Sequence, residues 1–188
     1  MNASQMYEYL ERLSNLMRTS VRKAGLTHGL QPIQMEALHY LSRCNHYSNT
    51  PVAVAEFLGL TKGTVSQTLG VLEADGLLQK RTDIKDRRVV HLTLTPAGEA
   101  VVKDCIPPVE LTQALAQLAP KEPPFIGNAL ETLLQALQQA NGLKSFGACR
   151  HCRYHELESG GLRTCGLTQE ALSDSDADKI CREHQAVA

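Results

Sequence analysis

Gly59 and Gly76 each close a stretch of helical periodicity, and the segment between them constrains the middle of the chain more than any other feature. Pro51 suits a helix start, and the helix runs through Leu58 before Gly59 ends it. Thr61 is a good N-cap for a second helix reaching about Asp75, with Gly76 just past its end. Two short strands are expected at 77–82 and 89–95, because Val89, Val90, Thr93 and Thr95 favour extended backbone. The link Asp83-Ile84-Lys85-Asp86-Arg87-Arg88 is charged and turn-like. A helix, a tight turn, a second helix and a hairpin make a helix-turn-helix at about 51–76 with a wing at about 77–95.

The flanks are helical. Met6, Leu10, Leu13 and Met17 line one face of a long first helix, and Ile33, Ala37, Leu38 and Leu41 line a second one opened by Pro32. The segment 42–50 is polar and expected to be a loop. Pro96 restarts a helix that Pro107-Pro108 must kink or break, and Ile126, Leu130, Leu133, Leu134 and Leu137 carry a last amphipathic helix. The fold class is therefore mainly α with a small β component.

In the second helix of the motif, Val65, Leu69 and Leu72 share an inward face, which leaves Lys62, Thr64, Ser66 and Gln67 outward. Short polar side chains can approach the major groove closely, and Gln can bond an adenine edge. The chain as a whole carries a net charge of −1, so a polyanion must be met locally. Residues 80–88 provide that patch, with Lys80, Arg81, Lys85, Arg87 and Arg88 against Asp83 and Asp86. Taken alone, such a hairpin is an ordinary solvated surface; beside the helix-turn-helix it points to double-stranded DNA. Trp is absent and aromatics make up 4% of the chain, which disfavours a stacking platform for single strands.

The run from Leu60 to Val101 resembles the MarR family of winged helix-turn-helix regulators. The resemblance is carried by Thr64-Val65-Ser66, by the exit from Leu72 to Leu77, and by the wing Asp86-Arg87-Arg88 followed by Leu94-Thr95 and Gly98. The order of helices extends it to roughly residues 5–141. It implies a homodimer built by the first helix and the last two helices before residue 142, and binding to a palindromic operator. It also implies that Thr64, Ser66 and Gln67 face bases or phosphates, and that Asp86 and Arg88 form the wing's acid–arginine pair. Gly63 and Gly70 depart from the family pattern and make this helix looser, since glycine costs about 1 kcal/mol relative to alanine inside a helix.

A composition shift near Asn141-Gly142 divides a winged-helix domain, 1–142, from a Cys-rich tail, 143–188, which holds four of the six cysteines. They read Cys149-x2-Cys152-x12-Cys165-x15-Cys181. Such a cluster in a reducing compartment points to a metal site that staples a tail poor in large apolar residues. The spacing is similar to that of high-potential iron–sulfur proteins, with Tyr154 as the aromatic after the pair. That similarity implies a [4Fe–4S] cluster on the four cysteines, with no Trp to shield it. The alternatives are a structural zinc site and plain or disulfide-forming thiols, and His184 is an alternative ligand that would form a second knuckle with Cys181 and leave Cys165 outside the site. His151 and His155 read as solvated, and Asp174, Asp176 and Asp178 as a helix start. The tail's attachment to the last dimer helix suggests that the centre acts by shifting the spacing of the DNA-binding lobes. Cys44 and Cys105 are isolated; the family resemblance puts Cys105 near the dimer interface, where a redox switch is conceivable.

No nucleophile elbow or glycine-rich phosphate loop occurs, so no enzyme is expected. No apolar run approaches the roughly 18 residues of a membrane span. The first residues carry Glu8 and Glu11 rather than a basic leader. A cytoplasmic location is the default expectation.

Overall fold

The computed structural model describes residues 2–140, 145–157 and 161–187. The expected boundary at Asn141-Gly142 lies outside the described residues. The helices are α1 (Ala3–Thr27), α2 (Pro32–Arg43), α3 (Pro51–Leu58), α4 (Lys62–Ala74), α5 (Pro96–Cys105), α6 (Val109–Ala116), α7 (Glu122–Ala140) and α8 (Asp174–Ala177). The strands are β1 (Leu78–Thr82), β2 (Val90–Leu94), β3 (His155–Leu157), β4 (Arg163–Cys165) and β5 (Glu170–Leu172).

The local signals have the physical effects expected of them. Pro51 takes the first turn of α3, and Gly59 ends it in the left-handed region at φ 66°. The Thr61 side chain accepts from the Thr64 N–H and starts α4. Gly76, at φ 70°, turns the chain from α4 into β1. The hairpin pairs β1 and β2 antiparallel, with Leu78 opposite Leu94 and Thr82 opposite Val90. Ser173 caps α8, so the acidic run is a helix start.

One core joins these elements. Met35, Leu38 and Tyr40 of α2 pack with Val54, Val65, Leu69 and Leu72 of the helix-turn-helix, with Leu78 and Leu92 of the wing, and with Val102 and Cys105 of α5. Cys105 is sealed in this protomer core, and burial pushes its thiol up from the ordinary value, which removes the basis for a redox switch there. By contrast, α6 and α7 bury no side chain. Phe125 is 75% exposed and Leu134 56%, while α1 leaves Leu13 and Leu16 open as well.

The tail shares the core. Phe146 belongs to the same buried cluster, and its ring stands 5.2 Å from Phe57 and 6.1 Å from Tyr40, edge-on to both. The tail's strands form a three-stranded antiparallel sheet in the order β3-β4-β5. The polar segment after α2 is a loop, as expected, but it is not a surface one. Asn45 and Ser48 are buried beneath the tail. They tolerate burial because they bond each other and the tail: Ser48 Oγ donates to Asn45 Oδ1 at 2.7 Å and accepts the Arg182 N–H at 2.8 Å.

Two glycines make opposite predictions. A Cβ on Gly98 would strike the Leu77 carbonyl, a backbone atom that cannot step aside. Gly98→Ala is expected to cost about 1–3 kcal/mol by overpacking. Gly70 has open space around its would-be Cβ, so Gly70→Ala should gain up to about 1 kcal/mol of helix propensity. Urea unfolding of the two variants checks both signs.

Candidate nucleic-acid interface and cysteine centre

Helix α4 presents two unlike faces. Val65, Thr68, Leu69 and Leu72 are buried, while Lys62, Thr64, Ser66 and Gln67 are all exposed. Thr64 is partly committed, since its hydroxyl lies 2.9 Å from that of the capping Thr61. Gly63 and Gly70 lie on or beside the open face, so the backbone there is close to whatever docks on it.

The wing is folded by its own acids. The Asp83 carboxylate accepts the N–H groups of Lys85 and Asp86, both at 2.7 Å, which bends the chain into its tip. Those two bonds, and to a lesser extent His91, hold Asp83 below the usual carboxylate range. Asp86 accepts Arg88 Nε at 3.0 Å and Nη2 at 2.9 Å, and this pairing lowers its pKa too. The expected acid–arginine pair is therefore present, and it shapes the wing. Lys80 is drawn to Glu73 of α4 at 2.8 Å. The basic patch is consequently narrower than its sequence count. Lys85 and Arg87 stand exposed at the tip, next to an Ile84 that is 97% exposed.

The four tail cysteines are distant in sequence and meet in space. Cys149 opens a 3-10 turn through His151, and its N–H donates to the Lys179 carbonyl at 3.0 Å. Cys152 ends that turn, and its sulfur accepts the Gln185 N–H at 3.5 Å. Cys165 closes β4, and Cys181 donates its N–H to the Gly147 carbonyl at 3.0 Å. All four are free and line one cavity of about 80 Å³, together with Tyr154, Leu167, Thr168, Glu183 and, from the winged helix, Asn45 and Tyr47. Burial first, and then the neighbouring Cys181, Cys152 and Cys165, push the Cys149 thiol up to about 11. A cation among the sulfurs reverses that preference, because it favours the thiolate form.

Among the described residues, no three Cys, His, Asp or Glu side chains gather closely enough to hold a metal ion. A tetrahedral zinc with bonds of about 2.3 Å needs its thiolates roughly 3.8 Å apart. His184 lines a different cavity, beside Gln138 and His151, and its Nδ1 lies 2.6 Å from Ser145 Oγ. Gly147 packs flat against its ring, where a Cβ has no room. His151 is exposed and His155 half-buried beside Arg163. Sequence spacing offered no sign of Asn45 and Tyr47, which belong to a loop far upstream.

Residues 28–89 match the sequence model of the MarR family. The winged helix has the MarR fold. Its likeness to a MarR regulator from Methanosarcina mazei Go1 has a TM-score of 0.61 at 18% identity, over 73% of this chain and 99% of that one. A transcriptional regulator from Thermotoga maritima gives 0.56 at 24%, over 73% and 96%. The Staphylococcus aureus MepR–DNA complex gives 0.55 at 22%, over 73% and 99%. Among the described residues no helix is long and apolar enough to cross a membrane.

The tail is clamped to the helix-turn-helix by Arg182, which donates Nε and Nη2 to the two carboxylate oxygens of Glu56 on α3 at 2.6 and 2.7 Å. A partly exposed bidentate pair is worth about 1 kcal/mol. Arg182→Ala should therefore speed limited proteolysis of the tail about fivefold while moving the unfolding midpoint of the winged helix little, as tracked by mass spectrometry and circular dichroism.

Proposed function

We propose that this protein is a DNA-binding transcriptional regulator of the MarR type, acting as a homodimer and carrying an iron–sulfur centre on Cys149, Cys152, Cys165 and Cys181. The observation that carries the DNA reading is the open polar face of α4 beside a wing whose tip is already bent by Asp83. The fold it shares with MepR is one described in complex with DNA. In this reading Gln67 and Ser66 meet base edges, and Lys62, Thr64, Lys85 and Arg87 meet phosphates or the minor groove, with Asp86 and Arg88 holding the wing in shape.

The homodimer is supported by the apolar faces of α1, α6 and α7, which find no cover within the protomer. A second copy offers the same surface and closes it symmetrically. Two recognition helices about one DNA turn apart then read a palindrome.

The donor set of four soft thiols suits iron–sulfur or zinc. The reading as a cluster rests on the spacing of the four cysteines, and all four line one cavity. When bound, such a cluster supplies a one-electron couple responsive to oxygen and redox poise. A second reading keeps the cysteines structural and places an organic effector in the cavity of about 600 Å³ between α1, α2 and Leu111, lined by Met17, Met35, His39 and Ile106.

Anaerobic purification with metal and sulfide analysis separates these readings. On the order of four irons per chain and visible absorption are expected, whereas about one zinc and no colour favours the second. Binding to promoter fragments is expected to weaken steeply with salt. Arg87→Ala should weaken all sequences alike and lower the salt slope by about 1, while Gln67→Ala should relax one base position at a cost of about 1–3 kcal/mol. A protein that shifts no promoter fragment at any salt is an interaction module instead.

A further inference from the structure

One wall of the cysteine cavity comes from the DNA-binding lobe. Asn45 and Tyr47, in the loop between α2 and α3, line it beside the four cysteines. Tail and loop are bonded along their length. The Asn45 N–H donates to the Ile180 carbonyl and the Ile180 N–H to the Arg43 carbonyl, each at 3.0 Å. Tyr47 OH donates to Glu170 Oε2 at 2.5 Å and accepts from Thr168 Oγ1 at 2.9 Å.

The other end of the same loop is bonded to the wing. The Leu92 N–H of β2 donates to the Asn49 carbonyl at 2.7 Å. Asn49 Oδ1 lies 2.6 Å from His91 Nδ1, and His91 Nε2 lies 3.2 Å from Asp83 Oδ2. Asp83 is the carboxylate that bends the wing tip. From the cavity wall at Tyr47 the backbone leads through Ser48 to Asn49, and contacts then run through His91 to Asp83, which bends the tip that carries Lys85 and Arg87.

We propose that the loop between α2 and α3 is a structural wall of the cysteine centre and its transmitter, so that filling the cavity fixes Asn45 and Tyr47 and thereby holds the wing in its DNA-binding form. This rests on the reading of the four cysteines as a metal centre. It adds a route to the one through the last helix before the tail, to which the tail is also bonded by Gln138 Nε2 donating to the Ser145 carbonyl at 2.7 Å. Loading strengthens DNA binding because a bound centre adds contacts to Asn45 and Tyr47 in a loop that is bonded to the wing, and ordering there lowers the ordering left for DNA to impose.

The test uses the full chain, purified without oxygen, with metal content and absorption recorded first. Hydrogen exchange is then compared between loaded and chelator-stripped protein, in wild type, Tyr47→Phe and Asn49→Ala. Stripping is expected to speed exchange about tenfold in peptides covering 44–50 and 83–92 and to weaken operator binding by a similar factor, within the usual range of coupling between sites. Tyr47→Phe should keep the metal but alter the spectrum of the centre, which a merely structural residue would not do. Asn49→Ala removes the side-chain contact to His91 and keeps the backbone bond to Leu92, so it should keep both metal and spectrum, retain the response at 44–50, and reduce it at 83–92. His91→Gln breaks the same link should Asn49→Ala fail to fold. Equal exchange at 83–92 in loaded and stripped protein, or an undiminished wing response in Asn49→Ala, overturns the proposal. Protein that holds no metal overturns the underlying reading as well, and the initial metal analysis tells that failure from the other.

Discussion

A polar loop can be buried only where its donors and acceptors find partners, and the segment between α2 and α3 meets that condition by bonding on both sides. Ser48 is fully buried, yet its hydroxyl and carbonyl are used by Asn45, Arg182 and Tyr40. Asn49 turns its backbone and side chain to the wing instead. Removing the tail would leave Asn45 and Ser48 short of partners, and removing the wing would do the same to Asn49. The loop is thereby the element through which tail and wing fix each other's positions.

The apolar faces impose the complementary constraint. Helices with no buried residue are not stable on propensity alone, and α7 is long enough that its Leu130, Leu134 and Leu137 form a continuous stripe. A monomer leaves that stripe in water. Core and open stripe thus divide the labour within the chain: α2 to α5 fold one lobe around Tyr40 and Leu38, and α1, α6 and α7 offer the surface on which two such lobes can be held at a set distance.

What the sequence made legible was local. Caps at Thr61 and Ser173, glycines at Gly59 and Gly76, and β-branched residues in β2 act within a few residues of themselves, so spacing reveals them. The inward face of α4 and the convergence of the four cysteines on one cavity follow from periodicity and spacing in the same way. Contacts between segments far apart were not legible. Nothing near Phe146 announces that its ring meets Phe57, or that Arg182 meets Glu56. The wing's charge was overcounted at Lys80, which is paired with Glu73 on the preceding helix.

The tail's own architecture argues that the cysteines do more than decorate it. Its three strands have three residues each, too short for an independently stable sheet. Phe146 is buried in the core of the winged helix, and half-buried Ile180 forms a backbone bridge to Cys44, while Leu172 and Ala177 are buried in the tail. Phe146 even adopts a positive φ of 46°, a conformation that ordinarily costs about 1–3 kcal/mol and is held here by the burial of its ring. With Phe146 spent on docking, the tail's interior keeps Leu172, Ala177 and the cavity that Cys149, Cys152, Cys165 and Cys181 line. On the proposed reading, a centre bound there would add folding free energy to a tail whose own buried apolar residues are few, so that loading the cysteines and ordering the tail against the winged helix would be one equilibrium.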